Sequence, residues 1–334
     1  MERKEPFMEH PVEIFSDKWL TCCSLCPRMC RANRSAATGF CGCGVDIQAA
    51  RAALHKWEEP CISGIRGSGT VFFTGCTLRC CFCQNHAISR KPTGKILPPR
   101  QLADIFLWLQ EEGAHNINLV TPTQYLPKIC QALDLVRSQL TIPVVYNCGG
   151  YERVETIAAL KDYVDIWLPD FKYQDSHLSM SFSGASDYFD CASKAIVQMI
   201  AQTGPPKFDT ETASFSPAQS EPVSILKKGV IIRHMVLPGH KDDSIRLLHW
   251  MAENLPKDSF LISLLSQYTP IQKNSPHPEL NRTVTSYEYK KVADTALNLG
   301  LDQGFIQKKS SAREEYTPLF HCQGLSPQEY GKKI

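Results

Sequence analysis

Six short, β-branched runs recur along the chain from residue 70 onward, and helical patterns fill the gaps between them. The runs are TVFFTG from Thr70, NINLVT from Asn116, IPVVYN from Ile142, DIWLPD from Asp165, GVIIRHMV from Gly229 and SFLISLL from Ser259. They are nearly continuous in hydrophobicity, as strands buried on both faces must be. Leu102, Ile105, Phe106 and Leu109 fall at i, i+3, i+4 and i+7, one apolar stripe of a helix. Ile245, Leu248 and Met251 repeat the pattern after Asp242 and Asp243, which mark a helix start. Such alternation predicts a parallel α/β architecture. Six strands are too few for a closed eight-stranded barrel, leaving a partial barrel or a doubly wound sheet.

The remaining chain divides around this region. Residues 1–66 are rich in cysteine, and SGIRGSG at 63–69 reads as a connection. Residues 67–270 form the expected core. Within it, 204–222 has no periodicity and many Pro, Ser and Thr, which predicts a surface insertion. Residues 271–334 are expected to be a helical extension. A net charge of +2 across 334 residues, with no dense Lys/Arg stripe, argues against a nucleic-acid partner. No run of 18 apolar residues predicts a membrane span.

Fifteen cysteines stand out, and their number is odd. The opening residues lack the apolar centre of a signal peptide. Disulfide-built folds are usually much shorter, so metal-binding thiolates in a reducing cytoplasm fit better. GCTLRCCFCQN at 75–85 sets Cys76, Cys80 and Cys83 at C-x3-C-x2-C directly after a strand. Short spacers let one loop wrap three corners of an iron–sulfur cubane. Three local ligands leave one iron open for chemistry, whereas electron-transfer clusters are closed by four cysteines. Further upstream, Cys23, Cys26, Cys30 and Cys41 give C-x2-C-x3-C-x10-C, enough to close a second metal site holding zinc or another iron–sulfur cluster. Cys22, Cys43 and Cys61 compete as ligands there.

The C-x3-C-x2-C triplet, with Phe82 before its last cysteine, resembles the radical S-adenosylmethionine (radical SAM) superfamily. EEPCISG at 58–64, GSGTVFFTGC at 67–76 and CQNHAIS at 83–89 extend the resemblance to its PflX-like branch, related to pyruvate formate-lyase activating enzymes. The resemblance implies a partial (β/α)6 TIM-like barrel with a Cys-rich N-terminal extension. It also implies a [4Fe–4S] cluster on Cys76, Cys80 and Cys83, with S-adenosylmethionine chelated to the open iron. Reductive cleavage would then yield a 5′-deoxyadenosyl radical that abstracts hydrogen, with flavodoxin or ferredoxin as electron donor. Phe82 would pack near the adenine, and Cys81 is outside the pattern.

Ligands in parallel α/β folds bind where strands end. The second strand ends in Thr121-Pro122-Thr123-Gln124, in place of the superfamily's Gly-Gly-Glu-type turn, and Thr123 is the candidate there. The third ends in Asn147, followed by Gly149 and Gly150, which allow close backbone approach. Asp170 and Lys172 follow the fourth and resemble an Asp-Leu-Lys element of activating enzymes. Arg233 and His234 lie on the fifth and cannot both point inward; an inward Arg233 would suit a carboxylate. Gln267 and Tyr268 follow the sixth. The expected function is a radical SAM oxidoreductase acting on a protein, as glycyl-radical activases do. The alternatives are action on a small molecule or nucleic acid, or a non-catalytic metal-binding scaffold.

Overall fold

The computed structural model describes residues 18–91, 93–211, 223–271, 276–307 and 318–330. Ten strands form one sheet: β1 (Ile47–His55), β2 (Ser68–Phe73), β3 (Lys95–Leu97), β4 (Ile117–Val120), β5 (Val144–Cys148), β6 (Ile166–Pro169), β7 (Lys207–Glu211), β8 (Val223–Met235), β9 (Leu261–Leu265) and β10 (Gly304–Ile306). The order is β10-β9-β8-β6-β5-β4-β2-β1-β3, with β7 beside β8. The two ends do not meet, so the sheet is open: a mixed α/β fold of the partial-barrel kind. Every pairing from β2 through β4, β5, β6, β8 and β9 to β10 is parallel. All six strands expected from the sequence are present, in sequence order.

Helices fill the crossovers because their stripes need a partner. In Pro99–Glu111, Leu102, Ile105, Phe106 and Leu109 are wholly buried against the outer face of the sheet. In Lys241–Asn254, Leu247, Leu248 and Met251 are buried, and Asp242 and Asp243 occupy the first turn, where the helix dipole favours acids. The inner face is filled differently. Cys61 and Ile62 of the short helix Pro60–Ser63 pack with Val145, Ile166, Leu168, Ile231 and Leu261. This plug sets Glu58, just before it, within reach of Arg233.

Four strands escaped the sequence reading. β1 lies within the 1–66 segment but pairs antiparallel with β2, so the sheet crosses the expected boundary. β3 adds an edge beside β1. In the expected insertion, Lys207–Glu211 is a strand pairing antiparallel with β8, while 212–222 lie outside the described residues. The C-terminal region is not purely helical either. It supplies Ser286–Asn298, capped by Thr285 and Glu288 in a capping box, and then β10, parallel to β9. The chain next returns to β1, where Cys322 N–H donates to the Ala50 carbonyl at 2.9 Å and the Gln323 carbonyl accepts from Ala52 N–H at 2.8 Å. These pieces are short or lack alternation, so their strand form comes from a neighbouring strand edge rather than from local pattern.

Candidate active site

The loop after β2 carries the thiol triplet. Gly75 and Arg79 have φ of +76° and +54°, so the chain turns sharply on both sides of Cys76. Leu78 N–H points at Cys76 Sγ at 3.4 Å. Ser183, at the end of helix Ser176–Ser183, donates its hydroxyl to Cys80 Sγ at 3.0 Å. Burial, with Cys80 and Cys83 nearby, pushes the Cys76 thiol up to about 12. Burial, with Cys80 nearby, raises Cys83 as well. Metal binding here must displace the thiol protons.

Cys80, Phe82, Cys83 and Gln84 edge a cavity of about 200 Å³ that runs down the inner face of the sheet. Gln84 ties the loop to the end of β9 by donating to the Gln267 carbonyl at 3.0 Å. Phe82 is buried in an aromatic cluster with Tyr173, Phe182 and Tyr268, at centroid distances of 6.2, 6.0 and 6.4 Å. The Lys172 ammonium stands 6.0 Å from its ring centroid.

Charged groups pave the cavity floor. Arg233 Nε donates to Asp170 Oδ1 at 2.9 Å, Nη1 to Glu58 Oε2 at 3.2 Å and Nη2 to Asn147 Oδ1 at 2.6 Å. Asn147 in turn donates to Glu58 Oε1 at 3.3 Å, and Lys172 Nζ meets Asp170 Oδ2 at 2.6 Å. Burial works to raise the Asp170 carboxyl, but Arg233 and Lys172 overcome it and hold the group below its ordinary value. The same burial raises Glu58 against the pull of Arg233 and, with Glu58 adding to it, pushes Glu59 up to about 7. A closed network of this kind needs every member, because removing one strands a buried charge.

The structure thus brings Phe82, Asn147, Asp170, Lys172 and Arg233 to one cavity with Cys80 and Cys83. Arg233 lines the cavity, and one N–H from each of its three nitrogens is taken by Asp170, Glu58 and Asn147, so it organises the floor. His234 faces the opposite side, between the Phe171 carbonyl at 2.7 Å and Ser244 Oγ at 2.8 Å. Gln267 lines the cavity, while Tyr268 sits behind Phe82 and donates to the Leu280 carbonyl at 2.7 Å.

Thr123, Gly149 and Gly150 do not line this cavity. Thr123 is buried with Glu152, donating to Oε1 at 2.7 Å, and lines the N-terminal thiol pocket instead. Gly150 has φ +79°, and a Cβ there would stand 2.1 Å from the Asp170 carbonyl oxygen, so it serves the packing of β5 against β6. A Cβ on Gly149 would meet Leu78 Cδ1 at 2.8 Å, so this glycine admits the thiol loop. Beside them Thr121 holds φ +56°, a conformation β-branched residues rarely adopt. Glu58 is the residue the sequence reading left unassigned. Its signal was its place at the head of the EEPCISG stretch, as one of two adjacent acids before Pro60 that equally suit an exposed turn.

Cys23, Cys26, Cys30 and Cys41 gather at a separate pocket with Arg34, Thr77, Thr123 and Gln124. All fifteen cysteines are free thiols. Among the described residues, no three His, Cys, Asp or Glu side chains converge to hold a single metal ion. None of the described helices is long and apolar enough to cross a membrane.

Residues 70–189 match the Radical SAM superfamily model. A protein of Methanocaldococcus jannaschii, the uncharacterized protein MJ0674, is 29% identical over 290 residues, covering 84% of this chain and 75% of its own. Among solved structures, Streptococcus suis SuiB bound to S-adenosylmethionine aligns with TM-score 0.45 and 16% identity over 72% of this chain and 47% of SuiB. Methylornithine synthase (PylB) aligns with TM-score 0.43 and 14% identity over 71% and 60%. The chain spans about half the length of SuiB. The family whose model residues 70–189 match implies a [4Fe–4S] cluster and S-adenosylmethionine. The donor set fits that cofactor pair: three thiols on one loop, with Cys80 and Cys83 opening directly onto a cavity.

Proposed function

We propose that this chain is a radical SAM enzyme that cleaves S-adenosylmethionine reductively and abstracts hydrogen from a protein substrate, as glycyl-radical activases do. One observation carries the reading: the thiol loop forms the lip of a cavity whose floor is a closed network of charged side chains. Cys76, Cys80 and Cys83 would hold the [4Fe–4S] cluster. When bound, the cluster and its cosubstrate supply a 5′-deoxyadenosyl radical from one added electron.

The chain's own residues bind and orient. Phe82 presents an aromatic wall, and Lys172 and Asp170 set fixed charges beside it. Asn147, Glu58 and Arg233 hold that floor rigid, so little reorganisation is needed when a charged ligand enters. Gln84 closes the thiol loop onto β9 and narrows the way in for water. A one-electron donor of the flavodoxin or ferredoxin class is the partner proposed for reduction. Fifteen free thiols support a reducing cytoplasmic setting.

The test is anaerobic. Reconstituted protein with excess reductant should convert S-adenosylmethionine to methionine and 5′-deoxyadenosine, and calorimetry should show cosubstrate binding. Protein that carries the cluster but neither binds the cosubstrate nor forms 5′-deoxyadenosine would leave the scaffold reading in its place.

A further inference from the structure

The N-terminal thiols sit where they can act on the cluster loop. Their pocket has a volume of about 10 Å³, roughly the room one water takes, at about 10–15 Å³. A single ion fits that space as it stands, whereas a cubane of four irons and four sulfides would need it to open. Gly39 supports the same closeness: a Cβ there would lie 3.3 Å from Cys30 Sγ and 3.5 Å from Cys41 Sγ. Two sulfurs thus come together over a residue with no side chain.

The backbone is already bent around the pocket. Met29 and Arg31, flanking Cys30, have φ of +43° and +53°, in the left-handed region. The Cys23 carbonyl accepts from Arg31 N–H at 2.9 Å, and Cys23 N–H donates to the Ala32 carbonyl at 3.0 Å. Arg153 and Thr156 tie the segment to the rest of the fold through the Ser24 and Leu25 carbonyls, at 2.7 and 2.9 Å, but it buries little apolar surface of its own. Its apolar cluster is Cys23 and Leu25, with Trp19 and Val45 against them. A core that small calls for a staple.

The segment also grips Cys76 from both sides. On one side, Arg28 Nε donates to the Thr77 carbonyl at 2.9 Å, and Nη2 to the Ser183 carbonyl at 2.8 Å. Ser183 is the residue whose hydroxyl meets Cys80 Sγ. On the other side, Gly75 packs against Cys43, where a Cβ would come within 2.1 Å of Sγ. Gln124 Nε2 donates to the Gly75 carbonyl at 3.3 Å, and Arg34 donates to the Gln124 and Cys43 carbonyls.

We propose that Cys23, Cys26, Cys30 and Cys41 bind one zinc-class divalent ion, and that this ion fixes the segment that holds the cluster loop on both sides of Cys76. Each Zn–S bond replaces an S–H bond, the protons leave to solvent, and nothing is oxidised or reduced. Four thiolates in a tetrahedron suit zinc. The four sulfurs ring the pocket without converging on one point, so binding draws them inward. Arg28 is the positioning residue that transmits the clamp to the loop. This inference is independent of the S-adenosylmethionine reaction.

Metal analysis of the full chain, produced with zinc and then reconstituted with iron and sulfide, tests it. The expected content is one zinc per chain besides the cluster iron. Cys26→Ser with Cys41→Ser should lose the zinc; Cys76→Ser with Cys80→Ser and Cys83→Ser should keep it and lose the iron. X-ray absorption at the zinc edge of the unaltered protein should show sulfur neighbours at about 2.3 Å, a result that needs no variant to fold. Arg28→Ala should retain zinc yet release cluster iron to a chelator severalfold faster. Twice the cluster iron with no zinc, or zinc retained after the Cys26/Cys41 change, would overturn the site. Unchanged iron release from Arg28→Ala would overturn the clamp.

Discussion

Two groups of cysteines in this chain share one chemistry and differ in what surrounds them. Cys76, Cys80 and Cys83 sit on a loop at the end of β2, with two of the three on a cavity of about 200 Å³ floored by Glu58, Asn147, Asp170, Lys172 and Arg233. Cys23, Cys26, Cys30 and Cys41 ring a pocket of about 10 Å³ between backbone turns. Three thiols beside a large polar cavity leave room for a reacting molecule. Four thiols around so small a pocket suit the single ion proposed above. Ligand number alone suggested this difference, and the space around the ligands agrees with it.

The strongest way to break the comparison is to remove one thiol from each group. Cys80→Ala should abolish the visible iron–sulfur absorption and all 5′-deoxyadenosine formation. An active cluster in that variant would end the assignment of the triplet. A substitution in the N-terminal group should lower stability and cluster retention without blocking cleavage outright in whatever fraction keeps its cluster.

The next largest effect falls on the floor of the cavity. Arg233→Ala leaves Glu58 buried without its cation and Asp170 with Lys172 alone, and should cost about 3–5 kcal/mol of unfolding free energy. Chemical denaturation reads this directly, and a change below about 1 kcal/mol would show that the network is solvated rather than closed.

Glu59 supplies a subtler test of the same floor. Burial pushes its carboxyl up to about 7, so the folded chain keeps a proton that the unfolded chain has lost above its ordinary value. The native state then binds more protons across that window, and stability falls as pH rises from about 4.5 to about 7. The fall attributable to this group is at most on the order of 3 kcal/mol. Glu59→Gln should flatten that part of the stability–pH profile; an unchanged slope would show that Glu59 is ionised in the fold. The smallest expected effect is Cys81→Ala. Cys81 lies between two triplet thiols and is fixed through its backbone N–H, which donates to the Phe182 carbonyl at 2.8 Å. Cluster content and cleavage should therefore stay near those of the unaltered protein.

The sequence by itself determined the six central strands, their parallel α/β character and the thiol triplet. Each is local: hydrophobic runs of strand length, helical stripes between them, and spacers of three and two residues that confine three sulfurs to one loop. It also required that Arg233 and His234 face opposite ways, because adjacent strand residues do, but it left open which one faced inward. Tertiary structure settled that. Glu58 and Asp170 turn Arg233 into the cavity, while the Phe171 carbonyl and Ser244 hold His234 on the outside. Only the fold revealed Glu58 as part of the site, since 175 residues separate it from the arginine it pairs with. Thr123 shows the converse. Its place at a strand end suggested the cavity, yet Glu152 draws its hydroxyl toward the N-terminal thiols. Spacing fixes what a loop can hold, and long-range packing fixes which way each side chain points and what charge it meets there.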